Sequence, residues 1–117
     1  MLRSEIDALF RDGKAFYAGP FRVVYRFVPD DSGTRFLVSV PRKRFRKAVD
    51  RNRIKRVIRE AYRLNREISD CLDSPGLHMG FIFTGDRSDL GLRDIEPHII
   101  EALKQLVKEF FQVKDQC

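Results

Sequence analysis

Apolar residues recur along this chain in two rhythms, and the places where the rhythm changes mark its elements. Near the N-terminus, Ile6, Leu9 and Phe10 fall at helical spacing. Ser4 is placed to cap this helix, with Asp7 three residues on, and Gly13 is a natural stop. From Pro20 the period shortens to two. In "FRVVYRFV", Val23, Tyr25 and Phe27 share one face, with Arg22, Val24 and Arg26 on the other, as a strand requires. "PDDSG" is turn chemistry, and "TRFLVSV" reads as the partner strand of a hairpin. A faint strand signal covers Phe16 to Ala18.

Helical spacing returns from about Lys47 to Leu72, closed by "DSPG". The run "LHMGFIFTG" is apolar and of strand length. After the polar turn "DRSD" a last amphipathic helix is predicted over Ile95 to Val113. It buries Ile99, Ala102, Leu103, Leu106, Val107 and Phe110, with Asp94 as its cap and Pro97 in its first turn. The order α-β-β-α-β-α, with a fourth strand at the faint signal, predicts an α+β fold. A small four-stranded mixed sheet, three strands clearly signalled, packs with helices in a single domain over residues 1–117.

Charge changes this picture in one place. Between Arg42 and Arg66 stand twelve Arg and Lys residues against Asp50 and Glu60, ten net positive charges in a chain whose total is +6. On a helical wheel, Ile54, Val57, Ile58, Ala61, Leu64 and Ile68 gather on one side. Asn52, Lys55, Arg56, Arg59, Arg63 and Arg66 gather opposite, with Arg51 and Arg53 at the edges. A merely solvated face mixes signs at i,i+4. This one sets Arg51 against Lys55, Lys55 against Arg59 and Arg59 against Arg63, each pair costing roughly 0.2–0.5 kcal/mol in an isolated helix. Glu60 and Glu67 relieve only part of that. A self-repelling, arginine-rich face implies a polyanionic partner, because guanidinium forks bind phosphate bidentately and stack on bases.

A pI of about 9.7 places nucleic acid first among partners and an anionic membrane surface well behind, since the apolar side of the helix is needed for the core. A helix-turn-helix reader of DNA would need a short helix before the basic one, and a strand precedes it here. A structural RNA binder of the ribosomal-protein kind is the alternative reading. No apolar run is long enough to span a bilayer, and no secretory signal opens the chain. Cys71 and Cys117 are read as reduced thiols of a cytoplasmic protein. His78 and His98 have no partners at metal-ligand spacing, and Asp30, Asp31, Asp86 and Asp89 sit in turns, so an autonomous protein active site and a protein metal site are not expected.

At "AVDRNRIKRVIREAYR" the chain resembles a known family. The string "RNRIKR" follows "AV" and a polar residue, on a helix after a strand ending "VSV". With "IDALFRDGKAF", "FRVVYRF" and "RFLVSVP" in order, the chain resembles the protein subunit of bacterial ribonuclease P over nearly its whole length.

The resemblance implies a ribonucleoprotein endonuclease in which a large RNA, using Mg2+ that it holds itself, cleaves the 5′ leader from precursor tRNA. The protein would bind the catalytic RNA as a monomer in a 1:1 complex, and would hold no cofactor alone. The family's RNR motif falls on Arg51, Asn52 and Arg53, continued by Lys55, Arg56, Arg59 and Arg63, with Lys43 and Arg46 adding to the RNA-binding surface. The leader cleft would take Phe10 and Ile6 from the first helix and Val23 and Tyr25 from the strand, core packing being the competing explanation at each. The family also implies a left-handed crossover before the last strand, against the usual hand. Three positions depart from the family pattern: Arg46 stands where a glycine is common, Ile6 where a phenylalanine is common, and Arg3 is the only basic residue before the first helix.

Overall fold

A computed structural model of the chain describes residues 2–29, 33–70 and 76–113, with side chains as far as residue 109. The expected turn at Asp30 and Asp31, the helix end at Leu72, Cys71, Cys117 and the Phe110 side chain lie outside the described residues.

The elements in chain order are α1 (Arg3–Asp12), β1 (Lys14–Ala18), β2 (Phe21–Phe27), β3 (Thr34–Ser39), α2 (Ala48–Leu64), a 3-10 turn (Arg66–Ile68), β4 (Leu77–Phe83) and α3 (Leu92–Val113). The fold is α+β with a four-stranded mixed sheet, and the faint strand before Pro20 is real. The expected hairpin is not. β4 lies between β2 and β3 in the order β1-β2-β4-β3, antiparallel to β2 and parallel to β3. The reason is burial. "LHMGFIF" is apolar at almost every position and can be satisfied only at the centre of a sheet covered on both faces, whereas β3 carries an exposed Arg35 and belongs at an edge. The true hairpin joins β1 to β2 through Gly19 and Pro20. Gly19 takes φ +54°, the positive first-position value that a tight two-residue turn uses, and Pro20 keeps the second position negative. The space a side chain would need at Gly19 is already taken, because a Cβ there would overlap the imidazole of His98.

The two sheet faces do different work. Phe21, Val23, Tyr25, Met79, Phe81 and Phe83 point to the main core, where α2 supplies Ile54, Ile58 and Ala61 and α3 supplies Ile95, Ile99, Ala102, Leu103 and Leu106. Phe36 of β3 stacks on Tyr62 of α2 with centroids 4.2 Å apart and planes at 10°, and meets Phe81 at 5.3 Å. The opposite face carries Val24, Gly80 and Leu37 in register, and α1 lays Leu9 over them.

Helix ends depart from expectation, by less than a turn in α1 and α3 and by more than two turns at the end of α2, each for a local reason. α1 begins at Arg3, and Glu5 rather than Ser4 closes its start by accepting the Leu2 N–H at 2.7 Å. α2 stops at Leu64, well before Leu72, because the Asn65 side chain donates to the Ala61 carbonyl and to Oε2 of Glu96, both at 2.8 Å. Leu64, expected in the core, is exposed at that frayed end. α3 begins at Leu92, so Asp94 is its third residue, where its carboxylate accepts the Gly91 N–H at 3.0 Å, and Pro97 falls in the second turn. Gly13 does end α1, through close approach and not through positive φ. A Cβ there would run into the Leu9 carbonyl oxygen and lie 2.8 Å from that of Tyr25.

Candidate nucleic-acid interface

The outer side of α2 is set by the helix itself. With Ile54, Ile58 and Ala61 driven into the core, Asn52, Arg56, Arg59 and Arg63 fall on one exposed stripe at spacings of four, three and four. Asn52, Arg56 and Arg59 make no side-chain hydrogen bond or ion pair with any described residue. Lys55 is half-buried beside them. Arg63 differs, because its guanidinium is forked onto Glu60 one turn back, holding that carboxyl below its ordinary range while its own pKa is raised.

Arg51 and Arg53 also differ from the stripe. Nη1 of Arg51 donates to the carbonyls of Phe45 and Arg46 at 2.8 and 2.9 Å. Arg53 donates from Nη1 to Ser88 and, at 2.9 Å, to Leu90, and from Nη2 to Asp89 at 3.4 Å, so three consecutive carbonyls meet one guanidinium. Both side chains are half-buried.

The loop before α2 presents Arg42, Lys43, Arg44, Arg46 and Lys47 to solvent, while Phe45 turns inward and packs on Phe83 at 5.9 Å. Backbone bonds from Arg44 and Phe45 to the Pro41 carbonyl, at 3.2 and 3.4 Å, close this turn. The missing glycine at Arg46 is therefore replaced by a turn anchored on a buried ring. Lys43 and Arg46 sit together, lining one shallow depression with Arg42.

The four residues expected to line one cleft do not come together. Ile6 is half-buried and Phe10 45% exposed on α1, on one side of the sheet. Val23 and Tyr25 are buried in the main core on the other side. Strand alternation separates them, since one step along β2 reverses the side chain. The Tyr25 ring meets Phe16 and Phe27 edge-on; burial first, then the nearby Glu109 carboxylate, push its pKa up.

On α1's side, β2 instead offers Arg22, Val24 and Arg26. Rows across the sheet follow from the register. Arg26, His78 and Arg35 form one row and Val24, Gly80 and Leu37 the next, and α1 lies over both. Glu5 reaches 3.8 Å from Nε2 of His78 and 3.9 Å from Nε of Arg35, tying the first turn of α1 to the sheet. The row beyond is Tyr17, Arg22, Ile82 and Ser39, one residue from each strand. Tyr17 is 71% exposed and the other three are half-buried, so an aromatic ring, a guanidinium and a hydroxyl share an open apolar-floored surface beside α1. Tyr17 and Arg22 escaped the sequence reading, although the alternation had already put Arg22 opposite the apolar face.

Of the two histidines, His78 is buried under α1 and His98 packs on the β1–β2 turn. Among the described residues no three His, Cys, Asp or Glu side chains are grouped to hold a metal ion, and no helix is long and apolar enough to cross a membrane.

Known proteins share this fold. The ribonuclease P protein of Thermotoga maritima superposes with a TM-score of 0.75 over 90% of this chain and 94% of that one, at 25% identity. That of Staphylococcus aureus shares the fold, with a TM-score of 0.70 over 92% and 93% of the two chains at 21% identity. In sequence, the ribonuclease P protein component of Porphyromonas gingivalis is 54% identical over 85 residues, covering 70% of this chain and 62% of the relative, somewhat under two thirds of its length. The component from Clostridioides difficile is 34% identical over 90% of this chain and 84% of that one. The family described as Ribonuclease P matches residues 2–110, and the chain belongs to this family of ribonuclease P protein components.

Proposed function

We propose that the chain is the protein subunit of a ribonuclease P ribonucleoprotein, which cleaves the 5′ leader from precursor tRNA. The observation that carries this is the exposed stripe of Asn52, Arg56 and Arg59, whose two arginines repel each other and make no ion pair with any described residue. A catalytic RNA seated on it relieves the repulsion and releases counterions, so affinity is high and falls steeply with salt. Asn52 adds a group that both donates and accepts. Lys43 and Arg46 extend the surface toward the loop before α2.

The leader lies on the other exposed surface, the sheet side flanked by α1. A single strand of no fixed sequence needs cations for its backbone and apolar or aromatic platforms for its bases. Arg22 supplies the first, and Tyr17, Ile6 and Phe10 supply the second, while Val23 and Tyr25 support the strand from behind. The protein supplies binding and orientation. The RNA supplies the cleaving centre and the Mg2+ ions in the cytoplasmic holoenzyme. By adding contacts to the leader alone, the protein favours precursor over mature tRNA, which has lost it.

The test is reconstitution with the cognate catalytic RNA and precursor tRNA at low Mg2+. Faster 5′ maturation than with RNA alone is expected, and its absence overturns the assignment.

A further inference from the structure

The signature arginines of α2 are the least available cations on it. Arg51 and Arg53 leave the helix two residues apart, about 200° around its axis, and so reach opposite sides. One takes the carbonyls of Phe45 and Arg46 in the loop between β3 and α2. The other takes those of Ser88, Asp89 and Leu90 in the loop between β4 and α3. Both loops leave the same end of the sheet, next to the row of Ser39, Ile82, Arg22 and Tyr17. The second loop is pinned there again by the Thr84 N–H on the Pro20 carbonyl at 2.8 Å.

Arg53 thus commits both terminal nitrogens of its fork to carbonyl oxygens, and Arg51 commits both N–H groups of Nη1, so the N–H groups turned toward the loops are not free to bind phosphate. We propose that Arg51 and Arg53 are positioning residues. They lock the first turns of α2 to both loops, and so fix the angle between the Asn52–Arg56–Arg59 stripe and the open sheet row, without binding RNA phosphate themselves. The assignment of RNA and leader to those two surfaces rests on the function proposed above, whereas the locking itself does not. Lysine does not reproduce the Arg53 arrangement, because one ammonium nitrogen cannot stand at the two separate nitrogen positions from which the guanidinium reaches three carbonyls.

Three measurements on the full chain decide it. In the free protein, Arg53→Lys should raise amide hydrogen exchange across residues 84–91, with Arg56→Lys leaving it unchanged. Unaltered exchange in Arg53→Lys overturns the proposal whatever the protein's function. In binding to the catalytic RNA, Arg53→Gln should keep the wild-type salt dependence. A log–log slope shallower by roughly 0.7–0.9, the signature of one phosphate no longer neutralised, overturns it. In the holoenzyme, Arg53→Lys should lower the preference for tRNA with a leader over tRNA without one, on the order of fivefold to tenfold, as misplacing a charged hydrogen-bonding group does. A purely structural role would lower the melting temperature and leave that preference intact, which also counts against positioning. If Arg53→Lys does not fold, Arg51→Ala is measured in the same way, with exchange followed over residues 41–47. A wild-type protein with no leader preference would instead refute the leader assignment, and the exchange and salt results would still decide the locking.

Discussion

Leu9 of α1 rests directly on Gly80 of β4: a Cβ built on the glycine would lie 3.5 Å from Cδ2 of Leu9 and 3.1 Å from Cγ2 of Val24. The absence of a side chain at the centre of the sheet is what lets α1 sit close. Gly80→Val would overfill this layer and lift the helix, at a cost of about 1–3 kcal/mol. Because α1 flanks the surface proposed for the leader and α2 lies on the other face, we expect leader affinity to fall while catalytic-RNA affinity stays within about twofold. Chemical denaturation and binding titrations measure the two effects separately.

Gly19 and His98 form a second such pair, with conformation added to space. Alanine at Gly19 runs into the imidazole and must also adopt φ +54°, which L residues disfavour by roughly 1–2 kcal/mol. In a His98→Ala background the clash disappears and only the backbone strain remains. A double-mutant cycle should therefore show Gly19→Ala costing less in that background, with a coupling of about 0.5–3 kcal/mol. An additive cycle would mean that the ring does not fill the turn.

These two glycines show where sequence reading stops. Hydrophobic period placed β2 and the core faces of α2 and α3, because burial of Ile54, Ile58 or Leu103 leaves a local trace. It misplaced the partner of β2, because strand order depends on which strand is apolar on both faces, and that was legible in "LHMGFIF" only by comparing strands. The exposed stripe of α2 was legible because like charges at i,i+4 cost energy and need a reason. The carbonyl bonds of Arg51 and Arg53 were not, since backbone carbonyls of distant loops carry no sequence signal. The four residues expected to form one cleft were set on two faces for a subtler reason. Tyr25 has the right chemistry for stacking on a base, but it alternates in phase with Val23, the most apolar set on the strand, and that phase belongs to the core.

Tyr25 should show itself in the alkaline limb of stability. Burial and the Glu109 carboxylate hold its pKa above the ordinary tyrosine range near 10. When pH passes the unfolded value, the unfolded chain loses a proton that the folded chain retains, so stability falls as pH rises. Below that value the contribution is fully present. Urea denaturation at about pH 7 and above about pH 10 should show a steeper alkaline loss in wild type than in Tyr25→Phe. The phenylalanine variant should retain leader affinity, since the hydroxyl faces α3 and not the leader surface.

Tyr17 is the contrasting ring. It is 71% exposed and contributes little to the core. Tyr17→Ala should leave the folding free energy within about 0.5 kcal/mol of wild type, as surface changes usually do. If a leader base stacks on it, precursor binding should weaken by roughly 1–3 kcal/mol, the usual worth of a base–aromatic stack. Binding of leaderless tRNA should not change. Equal weakening of both would place the ring at tRNA itself.

Arg59 offers a test in which stability and function move in opposite directions. It faces Lys55 one turn back and Arg63 one turn on, and pairs with no carboxylate among the described residues, Glu60 being committed to Arg63. Removing it relieves two like-charge pairs, each worth roughly 0.2–0.5 kcal/mol in an exposed helix. Arg59→Ala should therefore raise the melting temperature of the free protein slightly, most clearly at low salt, where screening is weakest. The same change should weaken catalytic-RNA binding and reduce its salt slope by about 0.7–0.9, the share of a single phosphate. A residue placed there for the fold would lower stability when removed and leave the slope alone.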